Sequence, residues 1–326
     1  MKGRIKSWLA GRIKDCLSDY GVVAISESRY EGARVALMRA VREIAERNDV
    51  HRTPGAEGIV FSKDRPLQLH GLLTSYFKLS TNPPQLTVIY NASSSAFSNA
   101  YVEVEALHKA NKVRFVRERG FRETLIHHLQ NLLVDKVFFL VDDILFIRRV
   151  NFNEFLDFDP DCRVPSLRLA PHLTHCYTQR KKQKIPDFIS TESCENWEKK
   201  FIWHWKDGQY DWSYPLSVDG NCFRADEILA MAKLAEYAAP NSFEIAIQWF
   251  NHLYLAREGV CYESSKIVNI PFNRVQTEND NISGDISPII LLDYWNNNME
   301  IDVDRYVDVK NISAHQEMEL FLRERQ

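Results

Sequence analysis

The stretch KVFFLVDDILFIRR, residues 136–149, decides how the rest of the chain is read. Val137 to Val141 form an unbroken apolar run that ends in two adjacent carboxylates, Asp142 and Asp143. Apolar character resumes at once with Ile144, Leu145 and Phe146. A short, continuous apolar run of this kind reads as a strand covered on both faces, as in a parallel sheet. Two carboxylates side by side repel unless a cation lies between them or one of them is protonated. The plain alternative is an Asp capping a helix, but ILFI continues as strand and does not begin a helix.

The flanking sequence repeats the same texture. GIVF (58–61) is a short strand ending in the polar loop SKDRP, and LQLHGLLTSYF follows as a helix. QLTVIYNASS (85–94) is a second strand with a polar end. FRETLIHHLQNLLVD, with apolar residues at 121, 125, 129, 132 and 133, is the helix before KVFFLVDD. Strands alternating with helices predict an α/β fold, a mostly parallel sheet flanked by helices. Such sheets bind ligands at the carboxyl ends of their strands. All three strand ends here carry polar loops: Ser62 to Arg65, Asn91 to Ser95, and the Asp142-Asp143 pair.

Bulk properties narrow the partners. The chain has 326 residues and a net charge of −3, so it lacks the basic excess of a general nucleic-acid binder. Its cysteines contain no C-x-x-C pair and read as reduced thiols without a zinc site. No apolar stretch is long enough to span a bilayer, and the N-terminus lacks a signal peptide's apolar centre, which predicts a cytoplasmic protein. Residues 1–50 read as helical, with Ile5, Trp8, Leu9, Ile13 and Leu17 at helical spacing. This basic first helix suits peripheral contact with an anionic membrane, or plain packing on its own protein or another copy. NDVHRTPGAEG then reads as a linker.

Adjacent carboxylates suit a hard divalent ion, Mn²⁺ or Mg²⁺, which commonly bridges to substrate phosphates. On these residues the chain resembles a known family. FFLVDDILF resembles the Asp-x-Asp-type motif of GT-A fold glycosyltransferases of the bacterial surface-polysaccharide type. FSKDRPLQL (61–69) resembles their donor-nucleotide loop. GNCFR (220–224), followed by PNSFE (240–244), resembles their acceptor loop and the helix start carrying the catalytic acid, and NIPFNRVQTEN (269–279) is similar to their tail. Val141 stands where many members carry the first Asp, so the metal and ribose roles fall on Asp142 and Asp143. Helical spacing and the Pro/Gly break predict a helical extension and linker over 1–55, and the resemblance, which covers roughly residues 58–315, implies a catalytic domain over 56–326. That domain divides into a nucleotide-binding half (56–160) and an acceptor half with the C-terminal tail (161–326).

The residue assignments follow from that resemblance and from side-chain chemistry. Ser62, Lys63, Asp64 and Arg65 would meet the base, ribose and phosphates of a nucleotide-diphosphate sugar, Arg65 as a planar permanent cation. Asn91 and Ala92 would contact the base, and Arg122, opening its helix, would face the diphosphate. Asp143, Asp142 and His315 are the candidate metal ligands. Glu244 is the candidate general base, although its place three residues after Asn241 also fits a capping box. Asp219 is the rival base or an acceptor ligand, and Gly220 would let backbone approach the sugar. Each member of the aromatic cluster from Trp197 to Tyr214 reads first as ordinary core, with a flat face for a sugar ring as the alternative. The implied activity is inverting transfer of a sugar to an oligosaccharide or lipid-linked glycan, in synthesis of a polysaccharide such as lipopolysaccharide O-antigen or capsule. The alternatives are a sugar-nucleotide nucleotidyltransferase, disfavoured because SKDRP lacks glycine, and a non-catalytic carbohydrate-binding protein, which has no use for the Asp pair.

Overall fold

A computed structural model of the chain describes residues 27–47, 51–193, 198–273 and 286–325. The amphipathic stretch from Ile5 to Leu17, Trp197 and most of NIPFNRVQTEN lie outside the described residues.

At the centre is a five-stranded sheet. Its strands are β1 (Thr53–Lys63), β2 (Gln85–Asn91), β3 (Val113–Arg117) and β4 (Val134–Val141), with β9 (Cys222–Arg224) at one edge. The spatial order is β9–β4–β1–β2–β3. β1 to β4 are mutually parallel and β9 runs antiparallel beside β4. The register sets Phe61 level with Val141 and Lys63 level with Asn91, so the three polar strand ends emerge at one edge.

Alternation along the strands divides the core in two. Val60, Val88, Phe138 and Leu140 face α2 (Pro66–Leu79) and α3 (Ser95–Leu107). Ile59, Phe61, Val137 and Phe139 face α4 (Phe121–Gln130) and α5 (Ala225–Leu234). Both faces are covered, which is why β4 reads as continuously apolar. α1 (Glu27–Glu46) joins the second layer through the fully buried Val41. β1 begins at Thr53 and so crosses the expected linker boundary at residue 55: its first residues pair with Val134 despite Pro54 and Gly55.

After β4 the chain makes a tight turn into β5 (Ile144–Phe146). A second sheet is built from β6 (Arg163–Pro165), β7 (Ser190–Ser193), β8 (Lys199–His204) and β10 (Glu258–Tyr262), in the order β7–β8–β10–β6. β11 (Ile267–Asn269) pairs antiparallel with β5. Trp203, Trp205 and Trp212 are fully buried, with ring centroids 4.8 and 4.9 Å apart in edge-to-face pairs. They are therefore core and present no flat face to a ligand. α6 (Pro240–Ile247) and α7 (Pro288–Asn296) complete the longer helices. AHQEMELFLRER (314–325) has helical spacing and by sequence predicts a last helix, which tertiary pairing overrides. β13 (Leu322–Glu324) pairs with β12 (Met299–Ile301), and Phe321 and Glu319 bind the Tyr306 hydroxyl.

Candidate active site

The strand order 3-2-1-4 reverses direction between β1 and β4, and in open α/β sheets the crevice outside that reversal is where ligands bind. The residues that close β1 and β4 meet there. Asp64 has a left-handed backbone, φ +54°, an unusual conformation for a residue other than glycine. Its carboxylate accepts from the Ser93 amide at 2.8 Å, which fastens the β2–α3 loop to the end of β1. Ser62 and the Arg65 amide both bond the Tyr101 hydroxyl, at 2.6 and 3.2 Å. Arg65 itself is the residue from which α2 starts.

Asp142 and Asp143 form the turn between β4 and β5 and are both buried. The cation their proximity demands is a side chain. Nη1 of Arg65 donates to Asp142 Oδ1 at 2.9 Å and to Asp143 Oδ2 at 2.8 Å, while Nη2 donates to the Asn273 carbonyl. The Lys63 amide donates to Asp142 Oδ2, and Asn269 Nδ2 donates to Asp143 Oδ1. Burial, opposed by the Arg65 charge and reinforced by Asp142 and Asp219, pushes the Asp143 carboxyl up to about 6. Burial works against the Arg65 charge as well, but the two carboxylates outweigh it and raise the guanidinium above its ordinary value.

The second half of the site rests on the turn before β9. Gly220 has φ +76° and donates to the Phe139 carbonyl at 2.7 Å. A Cβ there would lie 2.4 Å from Ile267 Cδ1, so its lack of a side chain serves packing against Ile267. This turn presents Asp219 to His315, with Nε2 and Oδ2 2.9 Å apart. His315 reaches the site because residues 314–316 run alongside Asn269, whose amide and carbonyl bond Ala314 and Gln316. Burial raises Asp219, but the His315 hydrogen bond and charge outweigh it and hold the carboxyl below its ordinary value. Asp219 likewise keeps His315 above the usual imidazole value despite its burial.

Glu244 stands across from this pair on α6. The capping role is taken by Ser242, whose hydroxyl accepts from the Ala239 amide at 3.0 Å. Glu244 is half-buried, and its Oε1 accepts from the Val218 amide at 3.1 Å. Burial, joined by the Asp219 charge, pushes its carboxyl up to about 7, the value that suits a general base at neutral pH. The Arg168 guanidinium, buried beside Asp211, offsets part of this rise. Tyr214, raised by burial and by Glu244, remains a neutral hydroxyl.

Arg65, Asp142, Asp143, Asp219, Glu244 and His315 thus fall in one electrostatically linked cluster. Asn91 lies at the same edge and bonds Glu118, and the Ala92 carbonyl lies 3.5 Å from Arg117. Lys63 contributes its amide, its side chain being exposed. Arg122 is held elsewhere. Its Nε and Nη2 cap the end of α5 through the carbonyls of Ala235 and Lys233, at 3.1 and 2.9 Å, and its guanidinium lies over Tyr237. Arg168 and Asn269 were not singled out from the sequence. The lone charge inside the apolar run PSLRLAP was a usable signal for Arg168, whereas Asn269 was marked only as the first residue of NIPFNRVQTEN, with no role attached.

A divalent cation fits the donor set in part. Asp142 Oδ1 and Asp143 Oδ2 converge on one point, now the Arg65 nitrogen, and carboxylate oxygens suit Mg²⁺ or Mn²⁺. Among the described residues no three acidic, His or Cys side chains form a cage, and His315 is engaged with Asp219. Phosphate oxygens and water would have to complete such a coordination sphere.

No family model matches the chain. In sequence it is similar to the bifunctional glycosyltransferase pgtA of Dictyostelium discoideum, 30% identical over 189 residues. The match covers 53% of this chain and 24% of that protein, so the chain spans about a quarter of that relative's length. Among solved structures, the WbbM bifunctional glycosyltransferase in its apo form is 14% identical over 64% of this chain and 38% of its own, with a TM-score of 0.32. The mannosyltransferase PcManGT from Pyrobaculum calidifontis, in complex with GDP-Man and Mn²⁺, is 15% identical over 70% and 79%, with a TM-score of 0.30. S. aureus TarS 1-349, in complex with UDP, is 11% identical over 64% and 57%, with a TM-score of 0.38. Likenesses this loose carry no functional argument.

Proposed function

We propose that the protein is an inverting, divalent-metal-dependent glycosyltransferase of GT-A type, moving a sugar from a nucleotide-diphosphate donor to a carbohydrate acceptor. One observation carries the reading: a carboxyl poised near 7, Glu244, shares a cluster with the Asp142-Asp143 pair at the sheet's reversal point. The sequence similarity to a glycosyltransferase supports it independently.

The donor's diphosphate lies against Arg65 and the α2 start, with base and ribose toward Asp64, Asn91 and Ala92. Asp142 and Asp143 would hold a divalent cation, which would supply charge neutralisation to the leaving diphosphate. Glu244 accepts the proton of the acceptor hydroxyl as that oxygen forms its bond to the anomeric carbon. The bond from that carbon to the diphosphate oxygen breaks on the opposite face, and its electron pair leaves with the nucleotide. The Asp219–His315 pair holds the acceptor next to Glu244. The acceptor is an oligosaccharide or lipid-linked glycan of a surface polysaccharide, met at the membrane through the basic N-terminal residues. Among the described residues no helix is long and apolar enough to cross a membrane.

The test is donor hydrolysis and transfer by the full chain against a panel of sugar nucleotides, with the product anomer read by NMR. Metal-dependent turnover of one donor with inversion is the expected result. A retained configuration removes the base role from Glu244, and inactivity with every donor and acceptor removes the reading.

A further inference from the structure

The Arg65 guanidinium occupies the point on which Asp142 and Asp143 converge, the same point a divalent ion would take. Its side chain is 11% exposed, and it is anchored a third time by the Asn273 carbonyl. Two cations cannot share that point. The formal charges make the conflict specific. Two carboxylates and Arg65 sum to one negative charge. A divalent ion alone would leave the pocket positive, with Arg65 displaced and unpaired. The diphosphate of a nucleotide sugar, a diester with one charge per phosphate, alone would add two negative charges next to the two carboxylates. Arriving together, ion and diphosphate return the sum to one negative charge, and every charge keeps an opposite partner.

We propose that Arg65 is an exchangeable internal counter-ion that couples metal and nucleotide binding. It holds the carboxylate pair until a divalent cation takes the carboxylates and a nucleoside diphosphate takes the guanidinium. Arg's planar fork suits both tasks, since it pairs bidentately with carboxylate and with phosphate alike. The neighbouring charges leave the balance intact, because Asp219 and His315 pair with each other 2.9 Å apart. Glu244 faces Val218 and Asp219 and does not touch Arg65. The inference rests on the proposed donor class, and it assigns this one residue the work of making metal and donor enter as a unit.

The experiment measures Mn²⁺ binding to the full-length chain by calorimetry and by loss of the free-ion EPR signal, alone and with saturating UDP or GDP. Wild type should bind Mn²⁺ roughly 5–150-fold more tightly with its preferred nucleotide than without, the usual span of a coupling between sites. Arg65→Gln, checked for a cooperative melt, should bind Mn²⁺ alone at least about tenfold more tightly than wild type and lose most of the coupling. Arg65→Lys, which keeps a charge, should stay close to wild type for Mn²⁺ alone. Independent binding of metal and nucleotide in wild type overturns the proposal, and needs no variant. Unchanged or weaker Mn²⁺ affinity in a folded Arg65→Gln also overturns it. Sugar transfer that proceeds without bound metal defeats this inference and leaves glycosyl transfer standing; coupled binding without turnover of any donor does the reverse.

Discussion

Oε1 of Glu244 accepts a hydrogen bond from the Val218 amide at 3.1 Å, tying α6 to the turn that carries Asp219. The bond uses one carboxylate oxygen as an acceptor, which a Gln amide oxygen can also supply. Glu244→Gln therefore keeps the tie and removes the proton acceptor. Transfer should fall by roughly 10²–10⁴-fold while donor binding persists. Near wild-type transfer in the variant would show that Glu244 is only a tie.

The same carboxyl makes a pH prediction. It titrates near 7 in the folded protein against 4.5 in the unfolded chain, so it favours the protonated folded state. Its stabilising contribution is complete below 4.5 and is lost as pH rises through 7. The melting temperature of Glu244→Gln minus that of wild type should climb between those values and then level off. Transfer by wild type should show an acid limb with its midpoint near 7. A midpoint near 4.5 would place the base on a less buried carboxylate.

The Asp219–His315 pair separates the two candidate bases. Asp219→Asn should weaken acceptor binding and move the acid limb down from 7, because the Asp219 charge is part of what holds the Glu244 carboxyl up, while burial keeps it above the ordinary carboxylate value. Loss of transfer there, combined with retention in Glu244→Gln, would move the base to Asp219. His315→Gln removes the imidazole 2.9 Å from the buried Asp219 carboxylate and should cost roughly 1.5–3 kcal/mol by chemical denaturation, the range of a hydrogen bond to a charged group.

Arg122 should prove structural. Its guanidinium satisfies the last carbonyls of α5, so Arg122→Ala should lower stability by roughly 1.5–3 kcal/mol. Nucleotide affinity, measured by calorimetry, should stay within error of wild type. A fall in affinity without a fall in stability would return Arg122 to the diphosphate.

Gly220 combines a left-handed backbone with a close neighbour. Gly220→Ala should cost about 1–2 kcal/mol for the conformation and more for the contact 2.4 Å from Ile267 Cδ1. Ile267→Val removes that atom. The double variant should recover the steric part alone, and strict additivity in a double-mutant cycle would refute the contact.

Much of this was legible in one dimension. Buried parallel strands must be apolar on both faces, so KVFFLVDD announced β4 and its polar end. Connections in an α/β sheet bring strand ends to one edge, so the loops at Ser62, Asn91 and Asp142 were predicted to meet. The rest needed tertiary contacts. Alternation set Trp203 and Trp205 on one strand face and left core and sugar platform both open, and their burial decides for core. AHQEMELFLRER has helical spacing, but pairing with β12 and the Tyr306 hydroxyl outweighs a weak local preference.

The sequence by itself determined the layered α/β architecture and the residue types at each strand end, because periodicity and burial are local properties of the chain. Only the tertiary structure decided which charges face one another. Arg65 and Asp142 are separated by 77 positions, and Asp219 and His315 lie still further apart in the chain. Their partnerships, and the raised carboxyl of Glu244, depend on burial and distance, which no local pattern encodes.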